Sequence, residues 1–458
     1  MGGGRGHTLR TDRPRLLGVV SLVKRGFSNN VAALAMTQAG SAALRFGGNL
    51  VLTRLLAPEA FGVMLVVTSV AYILTMLTET GVSPFIIRAE GGDDPRRLDT
   101  LWTVSVLRGA LTMTLVIIGA PLFAHAIGKP EVALPLQVAS VMLLIQGCRS
   151  VAPYVALRRH EAAKNAWIEL GGQVVSLPVT VGLVWATGSY WGLVFGTVLG
   201  SVVTTVATYL FYEESSRRFA LDRGVFGELW RFSRFIAASS LTTVVVMQFD
   251  KMFVIASFSL AGAGLYAIAS NFAMIPNLFA DAYYSRVYMP LVSERLRREA
   301  PSAALFYRPM RFVRPLVVFA CAGGVTFGAT FVELIFPASY AEAGAFLSVL
   351  VIRPLLGALC KPTGMLLVSN QMARERFYGD CLRVLWVVAA SLLGWHYYGV
   401  WGLLWAVALT ELLPTIYQYA VVARLGVVRL RDEADVAVAV ALGAGAGWLA
   451  DGFVGMVA

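Results

Sequence analysis

Charge is what this chain has least of: 14% of its 458 residues are Asp, Glu, Lys or Arg, against about a quarter in ordinary soluble domains. Histidine and cysteine are scarcer still, at four each. His7, His125, His160 and His396 are scattered over the tail and helix ends without ligand spacing, so no metal is expected. Cys148, Cys321, Cys360 and Cys381 stand singly in apolar surroundings, which suits small packing residues better than disulfides. The chain also lacks a Gly-rich phosphate loop, which speaks against ATP as the direct energy source, and no cofactor is expected. Long polar stretches are missing too, so a soluble catalytic domain has little room. A membrane-embedded glycan-modifying enzyme is what remains of the enzyme class.

What the chain has instead is apolar length. It is 57% hydrophobic, with a mean hydropathy of +0.69. The apolar residues come in runs of about 20, enough to cross roughly 30 Å of hydrocarbon. Six runs fall at 31–53, 60–80, 101–124, 132–157, 166–187 and 190–212. Six more fall at 231–257, 264–289, 312–336, 343–368, 379–397 and 399–423. The expectation is an all-α, polytopic membrane protein.

The net charge of +11 could suggest nucleic acid, but the positions of the cations decide against it. They gather before the first run (Arg13, Lys24, Arg25) and in alternate connections, such as Arg96 and Arg97, Arg158 and Arg159, or Arg374 and Arg376. The intervening connections are nearly bare, holding Lys129 and, at the rim of the first run, Arg54. This alternation is the positive-inside pattern and puts both ends of the twelve-helix core in the cytoplasm. Residues 1–30 form a basic tail without the apolar core and cleavage site of a signal peptide. Leu16, Val19, Val23 and Phe27 would share one helical face there, so an interfacial helix on membrane lipids and a disordered tail are both open readings.

A few charges interrupt the apolar runs. In the first run Gln38, Arg45 and Asn49 fall on one stripe at 100° per residue. A mid-membrane charge costs at least about 3 kcal/mol unless it faces protein or water, so the stripe should line a cavity. Arg108 and Arg149 lie inside the third and fourth runs, and Lys251, Arg353 and Lys361 inside runs of the second group. These cations, with Asn49, are the candidate contacts for an anionic head; arginine's fork suits phosphate oxygens and lysine acts as a point charge. A cavity for organic cations would need carboxylates instead. The competing reading is internal pairing, with Glu411 against Arg353 and Asp281 against Lys361. Asp250 and Glu411 are the candidates for ion coupling. Pro276, Pro354 and Pro362 should interrupt their helices.

The chain divides as a tail (1–30), six helices (31–212), a polar linker (213–228), six helices (229–423) and a C-terminal segment (424–458). Residues 46–64 overlay 248–266 without gaps, both carrying polar residues into a Gly-containing turn. Two six-helix lobes related by this pseudo-repeat, around one central site, are the expected architecture.

Five motifs add a resemblance. Arg54-Leu55-Leu56-Ala57-Pro58-Glu59-Ala60-Phe61-Gly62 resembles the "RLLxPxxFG" turn of bacterial oligosaccharide flippases of the polysaccharide-transporter family. Leu98-Asp99-Thr100-Leu101-Trp102, Ala156-Leu157-Arg158-Arg159, Tyr190-Trp191-Gly192-Leu193-Val194 and Asp250-Lys251 are similar to further motifs of that family, in order. The family belongs to a superfamily with the lipid II flippases and the multidrug and toxic-compound extrusion proteins. The resemblance implies a carrier, not an enzyme, that moves a polyprenyl-pyrophosphate-linked oligosaccharide across the bacterial inner membrane by alternating access, for surface polysaccharide synthesis. It implies a monomer with a cytoplasmic N-terminus and a polysaccharide polymerase complex as partner; a cation-coupled multidrug exporter is the alternative. Family members commonly have fourteen helices, whereas here one or two short hydrophobic segments, Val436–Val457 around Asp451, remain after the twelfth.

Overall fold

The computed structural model describes residues 13–89, 91–159, 161–212, 218–298 and 300–457. It is helical throughout, with no strand among the described residues. Eleven helical stretches among them are long and apolar enough to cross a membrane. In chain order the long helices are α1 (Arg13–Leu55), α2 (Pro58–Leu77), α3 (Pro95–Ala126), α4 (Pro130–Gly147, continued as Ala152–Arg158), α5 (Ala162–Thr187), α6 (Trp191–Leu210) and α7 (Arg223–Ser257). The second group is completed by α8 (Leu260–Leu296), α9 (Val313–Ile335), α10 (Ala338–Ser369), α11 (373–398), α12 (400–424) and α13 (Leu430–Val457). The less apolar α1 runs beside α5 through the bundle: a Cβ built on Gly40 would lie 3.3 Å from Leu170, and one on Gly48 2.7 Å from Leu177.

Helix ends follow local chemistry, and several differ from what the sequence suggests. The apolar pattern puts the third helix start at Asp99 or Thr100. It starts at Pro95, whose fixed φ suits the first helical position, and Asp94 caps it by accepting from Arg96 N at 3.2 Å. Asp99 and Thr100 accept instead from the backbone N–H of Arg218 and Asp222, tying down the chain that enters α7. The expected linker is therefore shorter, because α7 begins at Arg223 under an Asp222 cap (Gly224 N at 2.7 Å). The tail from Arg13 is helical and continuous with α1; the side chains of Leu16, Val19, Val23 and Phe27 lie outside the described residues. α8 breaks at Met274, two residues before Pro276, and α10 turns at Val351, three before Pro354. A proline ring clashes with the preceding turn and offers no N–H, which accounts for both. Pro362 is absorbed inside α10.

α11 and α12 form a hairpin. Gly399 takes φ 57° and ψ −134°, a conformation that favours glycine, and the chain reverses there. Trp386 Nε1 donates to Ala406 O at 2.9 Å, and Gly394 meets Gly402, as two antiparallel arms about that turn require.

The C-terminal segment is a single 28-residue helix rather than two short ones. It runs parallel to α9, with Thr326 Oγ1 donating to Ala444 O at 3.2 Å and Thr330 bonded to Asp451. Its first turn is pinned by Arg314, fully buried, which donates to Asp435 Oδ1 at 2.6 Å and Glu433 Oε2 at 3.1 Å. The Thr330 bond and the two-acid anchor explain how a segment carrying Asp451 still forms one helix.

α2 and α8 pack backbone against backbone. A Cβ on Gly62 would lie 2.0 Å from Leu260 O, and one on Gly264 would lie 1.8 Å from Pro58 O. Pro58 and Gly62 become Leu260 and Gly264 under the shift that overlays 46–64 on 248–266. The two contacts are reciprocal, the same pair of positions meeting from each side. One hydrophobic core runs through this crossing, from Leu52 and Phe61 to Tyr266 and Phe272.

Candidate functional site

A cavity of about 650 Å³ lies between α1, α2, α5, α6, α7 and α8. Arg45 and Asn49 reach it from α1, Lys251 from α7, and Asn271 and Ser270 from α8. The Gln173, Ser176 and Thr180 side chains line it from α5, and Thr197 from α6. Arg45 is exposed and Lys251 half-buried, and no carboxylate is among the described lining residues. Arg45 and Asn49 of the α1 stripe thus line the hollow, whereas Gln38 is not among the lining residues, and the hollow has one cation from each half of the chain.

The other candidate cations lie away from this lining, and each faces an acid. Arg108 Nη1 meets Glu79 Oε2 at 3.3 Å, and Arg149 meets Glu169 Oε1 and Asn165 Oδ1, both at 3.3 Å. Lys361 is paired with Asp281, as one of the expected pairs had it. The other expected pair is not formed. Arg353 meets Asp250 Oδ2 at 3.4 Å, and Glu411 is taken by Arg383 at 2.8 Å. An eleventh helix beginning at 379, as the apolar run suggests, would leave Arg383 near a loop. The helix begins at Ala373, which carries Arg383 about 15 Å into it and beside Glu411.

Asp250 and Glu411 are embedded in different ways. Asp250 is 3% exposed; it accepts from Tyr266 OH at 2.6 Å on Oδ2, while Oδ1 is buried without a partner. Glu411 is held by Arg383 next to Cys360, Thr363 and Gln418. Such a cluster is costly to break from one side, because the remaining charge is left buried. Sequence reasoning missed Glu79, Glu169 and Arg383, which pair with Arg108, Arg149 and Glu411, since partners on other helices or connections leave no spacing signal. It also missed Gln173 and Asn271, uncharged residues whose only signal was an amide inside an apolar run.

Some contacts between the halves lie at one end, where Ser233 meets Thr80 and Arg97 meets Glu228; several others lie at the opposite end, where α1–α2 and α7–α8 turn. Tyr340 OH donates to Leu56 O at 2.7 Å, and Phe61 packs edge-on against the Tyr340 ring with centroids 6.0 Å apart. Lys129, in the α3–α4 connection, donates to Phe258 O at 2.6 Å and also to Ile255 O. Its ammonium thereby caps the C-terminal carbonyls of α7, where the helix dipole favours a cation. Burial lowers the Lys129 pKa below its ordinary value, with Glu131 acting in the opposite sense.

Comparison with known proteins agrees with this arrangement. The chain is 24% identical over 280 residues to the succinoglycan biosynthesis transport protein ExoT of Rhizobium meliloti, covering 61% of this chain and 56% of that protein. It is 21% identical over 378 residues to the lipopolysaccharide biosynthesis protein WzxC of Escherichia coli, covering 81% and 75%. The chain thus spans little more than half of the first of these relatives. Among solved structures, the lipid II flippase MurJ in an inward closed conformation shares the fold, with a TM-score of 0.71 at 12% identity over 88% of this chain and 90% of that one. The family described as polysaccharide biosynthesis protein matches residues 51–345, well over half of the sequence, and the chain belongs to that family.

Proposed function

We propose that the protein is a flippase that carries a polyprenyl-pyrophosphate-linked oligosaccharide across the bacterial inner membrane, for surface polysaccharide synthesis. The observation that carries this reading is the cavity, lined by Arg45 and Lys251 with no opposing carboxylate among the described residues. Two cations facing a hollow without a countercharge favour an anion there; a pyrophosphate supplies one whose oxygens fit the guanidinium fork. The relatives named for succinoglycan and lipopolysaccharide biosynthesis, and the likeness to a lipid II flippase, support the same class of cargo. A cation-coupled drug exporter is disfavoured because the lining offers an organic cation no countercharge.

On this reading residues 31–212 and 229–423 act as two lobes, and the reciprocal contact of Gly62 and Gly264 is their pivot. The contacts of Tyr340 with Leu56 and of Lys129 with Phe258 close the outer end, so the cavity is served from the cytoplasmic side, where the N-terminus lies. The head group enters while the lipid tail stays among membrane lipids. Arg45, Asn49 and Lys251 hold it, whereas Arg108, Arg149, Arg353 and Lys361 serve as ion pairs within and between helices. Asp250, whose contact with Arg353 is longer at 3.4 Å and whose Oδ1 is buried without a partner, is the better candidate for ion coupling than Glu411, which Arg383 holds at 2.8 Å. The protein works as a monomer that hands its cargo to a polysaccharide polymerase complex.

The test is Arg45→Ala against Arg45→Lys in vesicles loaded with polyprenyl-pyrophosphate-linked sugar. The alanine variant should lose translocation at least tenfold, and lysine should keep part of it because charge survives while the fork is lost. Wild-type translocation by a folded alanine variant would remove Arg45 from the site.

A further inference from the structure

The cavity lining carries two kinds of hydrogen-bonding side chain. Arg45 and Lys251 can only donate. The hydroxyls do the reverse. Thr180 Oγ1 donates to Ser176 O at 2.8 Å, Thr197 Oγ1 to Val194 O at 2.7 Å, and Thr68 Oγ1 to Met64 O at 2.7 Å. Ser270 Oγ donates to Ala267 O at 3.1 Å and Ser176 Oγ, more weakly, to Gln173 O at 3.4 Å. These are the five hydroxyl side chains among the described lining residues. With the proton bonded to its own helix, each hydroxyl oxygen keeps lone pairs that can only accept. Three of them (Ser176, Thr180 and Thr197) stand together on the α5–α6 wall, beside Gln173, whose Oε1 is buried without a partner. That wall is closely packed, with the Thr180 side chain seated over Gly196, where a Cβ would lie 2.2 Å from Thr180 Oγ1.

We propose that the α5–α6 wall is the subsite for the sugar next to the pyrophosphate, and that it reads hydrogen-bond donors: free hydroxyls or the N–H of an N-acylated sugar. This rests on the flippase reading. Phosphate oxygens only accept, so they belong with Arg45 and Lys251; sugar hydroxyls are the part of the cargo that can donate to Gln173 Oε1, Ser176, Thr180 and Thr197. Asn49 and Asn271, which both donate and accept, line the hollow along with the two sets. The assignment makes Gln173, Thr180 and Thr197 specificity-determining residues, and it separates their work from that of Arg45.

The experiment measures binding to the purified protein by native mass spectrometry with three probes: bare polyprenyl pyrophosphate, the same lipid carrying one hexose, and the lipid carrying that hexose fully O-methylated. Wild type should bind the hexose form about tenfold more tightly than the bare lipid, the scale of one or two net hydrogen bonds. The methylated hexose, which accepts but cannot donate, should bind no better than the bare lipid. Thr180→Val with Thr197→Val, or Gln173→Leu, should erase the gain from the hexose, bringing the ratio of hexose-form to bare-lipid affinity to about one. Equal binding of methylated and free hexose by wild type, or variants that keep the full gain, would overturn the proposal. A wild-type protein that binds none of the three lipids would bring down the flippase reading itself, a different failure.

Discussion

Gly62 and Gly264 show how much a single position can decide. Each lacks the one carbon that would collide with a backbone carbonyl on the opposite helix, at 2.0 and 1.8 Å. Gly264→Ala should therefore push α2 and α8 apart and cost about 1–3 kcal/mol, as overpacking does. Gly262→Ala is the control, since its Cβ would meet nothing closer than 3.3 Å of side chain. Thermal unfolding in detergent should show a clear drop for the first and little for the second; equal behaviour would mean the crossing is loose. The charged residues teach a complementary lesson. Arg45, Asn49 and Lys251 were legible as a site because helical periodicity placed two of them on one stripe and the repeat supplied the third. Arg108, Arg149, Arg353 and Lys361 looked the same in sequence, but their fates were set by Glu79, Glu169, Asp250 and Asp281 on other helices or connections. Periodicity reports which way a side chain points, and it says nothing about what waits there.

At the scale of elements, hydropathy and cation placement located the helices, and errors gathered at the ends. They did so where a cap outcompeted the apolar pattern: Asp94 with Pro95 starts α3 early, and Asp222 starts α7 inside the expected linker. The α11 start was misplaced by six residues, from 379 to Ala373, and that alone hid the pairing of Arg383 with Glu411. The C-terminal segment was the least legible, because Asp451 argues against a span unless a partner such as Thr330 is known. Since α13 runs parallel to α9 from an anchor at Arg314, the topology predicted from the cation pattern puts its far end on the outer face. A cysteine at Met456, 84% exposed, should react with an impermeant thiol reagent added to intact cells, as should one at Gly188, while one at Ser302 should not. Protection of the Met456 site alongside labelling at Gly188 would reverse α13.

The whole molecule is a bundle whose halves meet through the α2–α8 crossing and through contacts at both ends. α7 joins them. Its first turns pack Val225 and Leu229 against Phe85, Leu101 and Val155 of the first half, and its C-terminal end takes Lys129 from the same half. Between those points it supplies Lys251 to the cavity. A bundle that alternates access must part at the outer end while the pivot holds, so the contact of Lys129 with α7 has to break in every cycle. Cysteines at Lys129 and Ser257, bridged by a cleavable linker about as long as the lysine side chain, would keep it closed. Translocation of the polyprenyl-pyrophosphate-linked sugar in vesicles should stop on bridging and return on cleavage. Translocation that continues at the unbridged rate in fully bridged protein would contradict alternating access.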